Sequence, residues 1–395
     1  MSSAGRRTDI EVLRILVCAL VVLLHALLIH APQPFYHLKA PVISAAAGVL
    51  AEALRVLVMP LFFIIAGCSA VLSLRRRNAR AFLAERGRRI LVPLVTGMVL
   101  VCPLIKYIEL RGGRDMRPAG FRLIAPLTDS FWTFLPKFFG RLASTTWSHL
   151  WFLAYLLVLS IVLLPLLTRC ARMAPHPAVP PAWTVLLPGA GLGVLVLMVN
   201  GYWPYYPNLY GDLGNLCYYG ACLGLGAGLA AWPGSALRLQ STWPGLLLAA
   251  AAGFVGVAWF GEGPAGRFCV GFTAWCASAA LLGFAAGHRP GPSALLDRIG
   301  EATLPVYVLH HLPVLALGVL LVPTGLGWPV QVALVWTGGL AVSGAAYLLL
   351  VRPWRVMRVL FGMAAAYPAG KPGAPRHDRP NIAEPDRTVA RPAGR

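Results

Sequence analysis

Ten stretches of mostly apolar residues, each about as long as a bilayer is thick, divide this chain: 10–31, 43–73, 90–110, 148–168, 182–200, 213–232, 243–261, 268–287, 300–322 and 328–351. About 20 such residues in a helix cross the hydrocarbon core. Backbone amides inside lipid have no water to bond, so only helices or closed barrels can cross it. None of these runs shows the two-residue alternation of a membrane barrel. The expected fold is therefore all-α, a polytopic bundle of about ten transmembrane helices. Composition agrees: 12% of residues are charged and 58% hydrophobic, against roughly a quarter charged in soluble domains. The second run is long enough to tilt or break, and Met59-Pro60 offers a kink point.

The formal net charge is +20, but the basic residues sit in short loops and tails rather than on one soluble face. That pattern argues for membrane topology and against nucleic-acid binding. The 74–89 loop carries Arg75, Arg76, Arg77, Arg80, Arg86, Arg88 and Arg89 against Glu85 alone, which makes it cytoplasmic. Alternation puts Arg169, Arg172, Arg238, Arg289 and Arg298 on the same side, and both termini with them. The loops at 201–212 and 323–327 hold no Lys or Arg and fall outside. The 111–147 loop fits poorly, being external yet basic; its "FWTFLPKFFG" stretch is expected to lie along the outer interface. The N-terminus has the basic start of a signal peptide, but the run after it is long, carries Arg14 and His25, and shows no clear cleavage site, so it is read as a retained first span. The membrane domain is placed at 1–358, and 359–395, rich in Pro, Ala, Gly and Arg, as a disordered cytoplasmic tail. The eight cysteines form no CxxC pair. They read as small buried hydrophobes, with no metal site.

Ionisable groups at membrane depth are costly and point to function. In the first span, Arg14 and His25 are eleven residues apart, three turns plus about 20°, so they share a face about 16 Å apart along the axis. Glu11 lies one turn below Arg14 and can pair with it. The pair could equally be snorkelling side chains at the cytoplasmic edge. His25 is deeper, and an imidazole there suits general-base work near neutral pH.

Three further motifs stand out. In "ERGRRILVPL" (85–94), Arg86 and Arg89 lie one turn apart before Pro93; two guanidiniums so placed can clamp phosphates, although positive-inside charge explains them as well. In "LPVYVLHHLPV" (304–314), His310 and His311 reach about the depth of His25, with Tyr307 one turn below and Glu301 at the rim. Adjacent helical residues diverge by about 100°, so only one of the two histidines is expected to face a shared cavity. In "SHLWFLAYLL" (148–157), His149 and Trp151 are expected at the outer interface. The aromatic-rich 200–215 loop, with Asp212, suits either sugar contacts or interfacial anchoring.

As an ordered set, these motifs resemble the acyltransferase-3 family of integral membrane acyltransferases. The resemblance is carried by Arg14-x10-His25 with an acid three residues before the arginine, by "MPLFFIIAGCSA" (59–70), Arg86-x-x-Arg89-Ile90 before Pro93, "HLWFLAYLL" (149–157) and "YVLHH" (307–311). It spans about residues 8 to 355, and the wording is nearest the periplasmic glucan succinyltransferase branch. It implies a ten-helix core in the bacterial inner membrane, with acyl-CoA as a co-substrate and no permanently bound cofactor. The acyl group, acetyl or succinyl, would pass to a hydroxyl of an extracytoplasmic sugar or glycan. Carried over, Arg14 and His25 become catalytic, and Arg86 and Arg89 engage the donor. The chain departs from the family at Thr303-Leu304, where a Ser-Tyr pair is usual.

Under that reading His25 takes the acceptor proton, Arg14 or one of His310 and His311 orients the imidazole or steadies the oxyanion, and an acyl-histidine is an alternative course. Glu11 completes the first-helix column, while His149, Trp151, Tyr307 and Glu301 are candidates for substrate contact. A secondary transporter or a glycan-export component, using the same charged column as a pathway, is the competing class. Whether the chain forms a homo-oligomer is left open.

Overall fold

The computed structural model describes residues 7–117, 120–140, 147–174, 178–199 and 207–365. Residues 366–395 of the expected tail and part of the aromatic-rich 200–215 loop lie outside these residues, while 359–365, expected in the tail, finish a short helix and bury Phe361 and Met363. Sixteen α-helices and one short hairpin make up the described chain. Seven segments are long and apolar enough to cross a membrane: Thr8–Leu28 (α1), Ala45–Leu74 (α2), Ala79–Arg111, Ala182–Val199, Pro233–Phe260 (α11), Pro264–Gly287 (α12) and Trp328–Val351. Two bent pairs, Ser148–Val162 with Leu164–Arg172 and Ala294–Leu309 with His311–Thr324, bring the number to nine. These nine cover nine of the ten apolar runs. The remaining run forms α10, Leu213–Ala231; its five glycines, two tyrosines and Asn215 make it less apolar than the others. The chain is an all-α, multi-pass membrane protein.

The breaks follow proline chemistry. Ala294–Leu309 (α13) and His311–Leu321 (α14) meet at a 61° bend. Pro313 has no N–H for the Leu309 carbonyl four residues back, so the helix breaks there. Pro165 does the same to Ile161, and Trp151–Val162 (α7) turns by 64° into Leu164–Arg172 (α8). The third crossing is segmented: Ala79–Arg86 (α3), a π turn at Gly87–Leu91, Val92–Leu100 (α4) and Cys102–Arg111 (α5). Pro93 cannot donate to the Arg89 carbonyl, and the Val92 N–H bonds Gly87 O five residues back instead. The widened turn therefore falls on the arginine motif, as π turns often do at functional sites.

Small residues bring the helices together. A Cβ on Gly67 of α2 would lie 2.0 Å from Leu223 O of α10, and one on Gly226 would lie 1.9 Å from Ile64 O. Leu187–Val199 (α9) and α12 meet likewise at Gly271 and Leu192 O, 2.4 Å. Such contacts replace the hydrophobic drive that lipid removes. The α2 span is 72% buried and that of α11 only 17%, so α2 is the axis of the bundle and α11 its rim.

Beyond α1, the 29–44 segment folds back over the helix ends. Lys39 Nζ donates to Leu28 O at 2.7 Å and to Ala31 O. The hairpin after α5 pairs Arg114–Arg117 (β1) antiparallel with Gly120–Leu123 (β2), Asp115 opposite Arg122. From β1, Arg114 donates to Tyr36 O at 2.9 Å and to Pro34 O, tying the hairpin to that segment. The "FWTFLPKFFG" stretch forms a short helix, Phe131–Gly140 (α6), with Phe134 and Phe138 buried and Trp132 exposed.

Candidate active site

A cavity of about 680 Å³ opens among α1, α2, α3, the π turn, α7 and α13. One wall carries Arg77, Arg86 and Arg89 against Glu85; another carries Glu11 and Arg14 from α1 with Asp297 and Glu301 from α13. The arginines outnumber the acid on the first wall, which leaves it cationic. Arg89 Nε lies 3.0 Å from Glu85 Oε1, and Glu85 also pairs with Arg77. Arg86 rests its guanidinium 4.8 Å over the Phe82 ring, which holds a planar cation facing the cavity. The Glu11 carboxylate closes on Gly300, where an added Cβ would lie 2.2 Å from Oε1. Glu301 binds Arg358 at 3.1 Å, a lining residue from the short helix Arg355–Leu360 (α16). Apolar lining comes from Phe62, Ile65, Phe152 and Leu156, and Tyr307 is among the residues around it.

Past Tyr307 lies a cluster of imidazoles. The His25 ring stacks on His311 at 4.3 Å and lies 5.3 Å from His310. His149 is 4.9 Å from both His310 and His311, and His37 is 4.9 Å from His311. Tyr36 stacks against His25 and His311. Tyr307 joins cavity to cluster, because its hydroxyl donates to His149 O at 2.6 Å. Hydrogen bonds assign the protons. His149 Nε2–H donates to Val308 O at 3.0 Å and His310 Nδ1–H to Tyr307 O at 2.6 Å. Each ring therefore keeps a lone pair on its other nitrogen. His149 Nδ1 and His310 Nε2 are buried without a protein partner, as is His25 Nδ1. Buried polar atoms are rarely left unpaired, and three in one cluster mark a place made for a polar ligand atom.

Behind the cluster runs a buried ionic chain. His37 Nδ1–H donates to Glu109 Oε2. Glu109 Oε1 accepts from Lys106 Nζ at 2.5 Å and from Met116 N at 2.6 Å. Lys106 also donates to Asp115 at 2.7 Å and Met116 O at 2.8 Å, and Arg117 Nε meets Asp115 at 2.6 Å. Two carboxylates, Glu109 and Asp115, face two cations, Lys106 and Arg117, so these charges balance. Asp115, on the hairpin, is held below the usual carboxylate range; burial opposes this, and the Lys106 and Arg117 bonds outweigh it.

The structure gathers Glu11, Arg14, Arg86, Arg89, Glu301 and Tyr307 around one cavity. His25 does not line it; the ring lies in the cluster beyond Tyr307. Two expectations are corrected. Both His310 and His311 lie against His25, rather than one, because adjacent side chains about 100° apart can flank a ring that lies between them. His149 is 4% exposed within the cluster rather than at an interface. Trp151 packs against Tyr155 and Tyr219, apart from the cavity. Sequence reasoning missed Tyr36, His37, Lys106, Glu109 and Ser148. A signal was present for two of them: Lys106 and Glu109 lie three apart inside an apolar run, where charge calls for explanation.

A family model described as an acyltransferase domain matches residues 7–349, and thus the imidazole cluster and most of the cavity lining. The chain belongs to the acyltransferase-3 family. No curated protein and no solved structure matches it. As a membrane acyltransferase of this family, it needs a donor site and a proton acceptor within reach of each other, and the cationic wall and the imidazoles are candidates for the two.

Proposed function

We propose that this acyltransferase moves an acyl group, acetyl or succinyl, from cytoplasmic acyl-CoA to a hydroxyl of a sugar or glycan outside the bacterial inner membrane. The observation that carries the reading is the arginine-walled cavity bounded by Tyr307, whose hydroxyl is bonded into the imidazole cluster. Arg86 and Arg89 hold the CoA phosphates through charge-assisted bonds. The pantetheine arm runs along Phe62, Ile65 and Phe152 and brings the thioester to Tyr307. His25 offers an unpartnered nitrogen to the acceptor hydroxyl and takes its proton as the oxygen attacks the acyl carbonyl. Glu11, Glu301 and Arg14 line the route without facing the reacting atoms.

The test uses purified protein with acetyl-CoA or succinyl-CoA and the cell's water-soluble glycan fraction. Expected are sustained, multiple-turnover CoA release and an acyl mass increment on glycan, both lost in His25→Ala while the variant still inserts and folds. Solute transport without donor consumption would establish the transporter class instead.

A further inference from the structure

Ser148 sits where the buried ionic chain meets the imidazole cluster, and its geometry is that of an activated nucleophile. Its hydroxyl lies 3.1 Å from His37 Nε2. His37 Nδ1–H is committed to Glu109, so Nε2 carries the lone pair and accepts the serine proton. On its other side Ser148 Oγ lies 3.4 Å from His311 Nδ1, and His311 Nε2 lies 3.1 Å from the Tyr36 hydroxyl. Serine, base and orienting carboxylate thus stand in line, the arrangement that activates a hydroxyl for acyl transfer.

Two further observations single out this serine. Ser148 has a backbone φ of +45°, one of two described non-glycine residues with positive φ. It lies on the turn that leads into α7. L-residues rarely hold that conformation, and where they do the strain often belongs to a site. Nucleophilic serines in other folds likewise sit on a strained turn entering a helix. Ser148 also adjoins His149, the residue whose carbonyl Tyr307 binds from the cavity. Tyr307, at the cavity, thus bonds the residue next to this serine.

We infer that Ser148 accepts the acyl group first, through a Ser148–His37–Glu109 triad, and that transfer proceeds by double displacement. This rests on the acyl-CoA reading above and specifies its chemistry. Ser148 Oγ attacks the thioester carbonyl and His37 Nε2 takes its proton. The C–S bond breaks, and CoA leaves as a thiolate into the arginine-walled cavity. The His37 imidazolium stays paired with Glu109, which is anchored by Lys106 and Met116 N and so remains ionised. In the second half the acceptor oxygen attacks the acyl-serine carbonyl and His25 takes its proton. The C–Oγ bond breaks, and Oγ regains a proton from His37. His25 then sheds its proton, balancing the thiolate released earlier. Ser148 and His37 are catalytic; Glu109 is a positioning residue acting through His37.

The test incubates purified full-length protein with acetyl-CoA or succinyl-CoA and no acceptor. Expected is a burst of about one equivalent of CoA per protein, with the acyl mass on the peptide containing Ser148. Ser148→Ala loses both. Ser148→Cys keeps the burst, but its adduct is a thioester and is removed by neutral hydroxylamine. Glu109→Gln slows the burst at least about 100-fold with acyl-CoA affinity unchanged, a split that a purely structural role would not produce. The triad is overturned if wild-type protein acylates the glycan fraction with no acceptor-free burst, or if Ser148→Ala still does so near the wild-type rate. In either case the acyl-CoA reading stands. If neither donor releases CoA with or without glycan, both fall.

Discussion

A guanidinium does different work at a membrane mouth depending on what lies beside it. Arg75, Arg76 and Arg80 face solvent with no part in the cavity, whereas Arg86 and Arg89 line it beside Arg77. Topology alone could not separate the two groups. Each charge-assisted bond to a phosphate is worth about 1.5–3 kcal/mol. Arg86→Ala or Arg89→Ala should therefore raise KM for acyl-CoA about 10- to 100-fold, with a smaller effect on kcat, in steady-state assays at saturating acceptor. A loss confined to kcat would remove these residues from the donor site. Lys39 offers a test by pH. Burial, and then the charge of Arg114, lower its pKa to about 8 from an ordinary 10.5. Below about 8 the folded chain holds an ammonium that burial disfavours. As pH rises from there toward 10.5, the folded amine gives up its proton before the unfolded one, so this group's penalty is relieved. Melting curves in detergent should show a gain between pH 7 and about 9.5 that Lys39→Met flattens.

At the scale of elements, what the sequence disclosed and what it hid follow from distance along the chain. Periodicity and length exposed the spans, because every crossing must satisfy its own backbone. The cavity was legible too, since Glu11 with Arg14, and Arg86 with Arg89, are neighbours within single helices. The cluster was only partly so. His25, His149, His310 and His311 stood out as ionisable groups in apolar surroundings, but their meeting depends on how three separate helices pack, which no local spacing reports. Ser148, His37 and Glu109 come from three separate parts of the chain, and nothing local marks a serine beside a span. The axis of the bundle rests on close backbone approach, where no side chain fits. A Cβ at Gly226 would meet Ile64 O at 1.9 Å, and backbone cannot swing aside as a side chain would. Gly226→Ala should destabilise the protein by about 1–3 kcal/mol or more, read as a lower melting temperature in detergent. Gly228→Ala two residues on, where the added methyl meets nothing within 4 Å, should be near neutral. Equal effects at the two sites would refute the packing account of α2 and α10.

For the whole molecule, the proposed reaction requires that the arginine wall face the acyl-CoA pool and the far loops face the acceptor. Orientation is decided by Lys and Arg in short loops, and here the asymmetry is steep: the 74–89 loop is dense in arginine, whereas 323–327 has neither residue type. The basic 74–89 segment also furnishes Arg77, Arg86 and Arg89 to the cavity, so on the proposed reading one segment serves both insertion and donor binding. Cysteines introduced singly at Arg76 and at Thr324, in a background with Cys217 and Cys269 replaced, give the measurement; the other six native cysteines are buried. In intact cells an impermeant maleimide should label Thr324→Cys and spare Arg76→Cys, and permeabilisation should expose the latter. The opposite pattern would turn the cationic wall away from the cytoplasm, and a donor confined to the cytoplasm could then not reach Arg86 or Arg89, however well their geometry suits a phosphate.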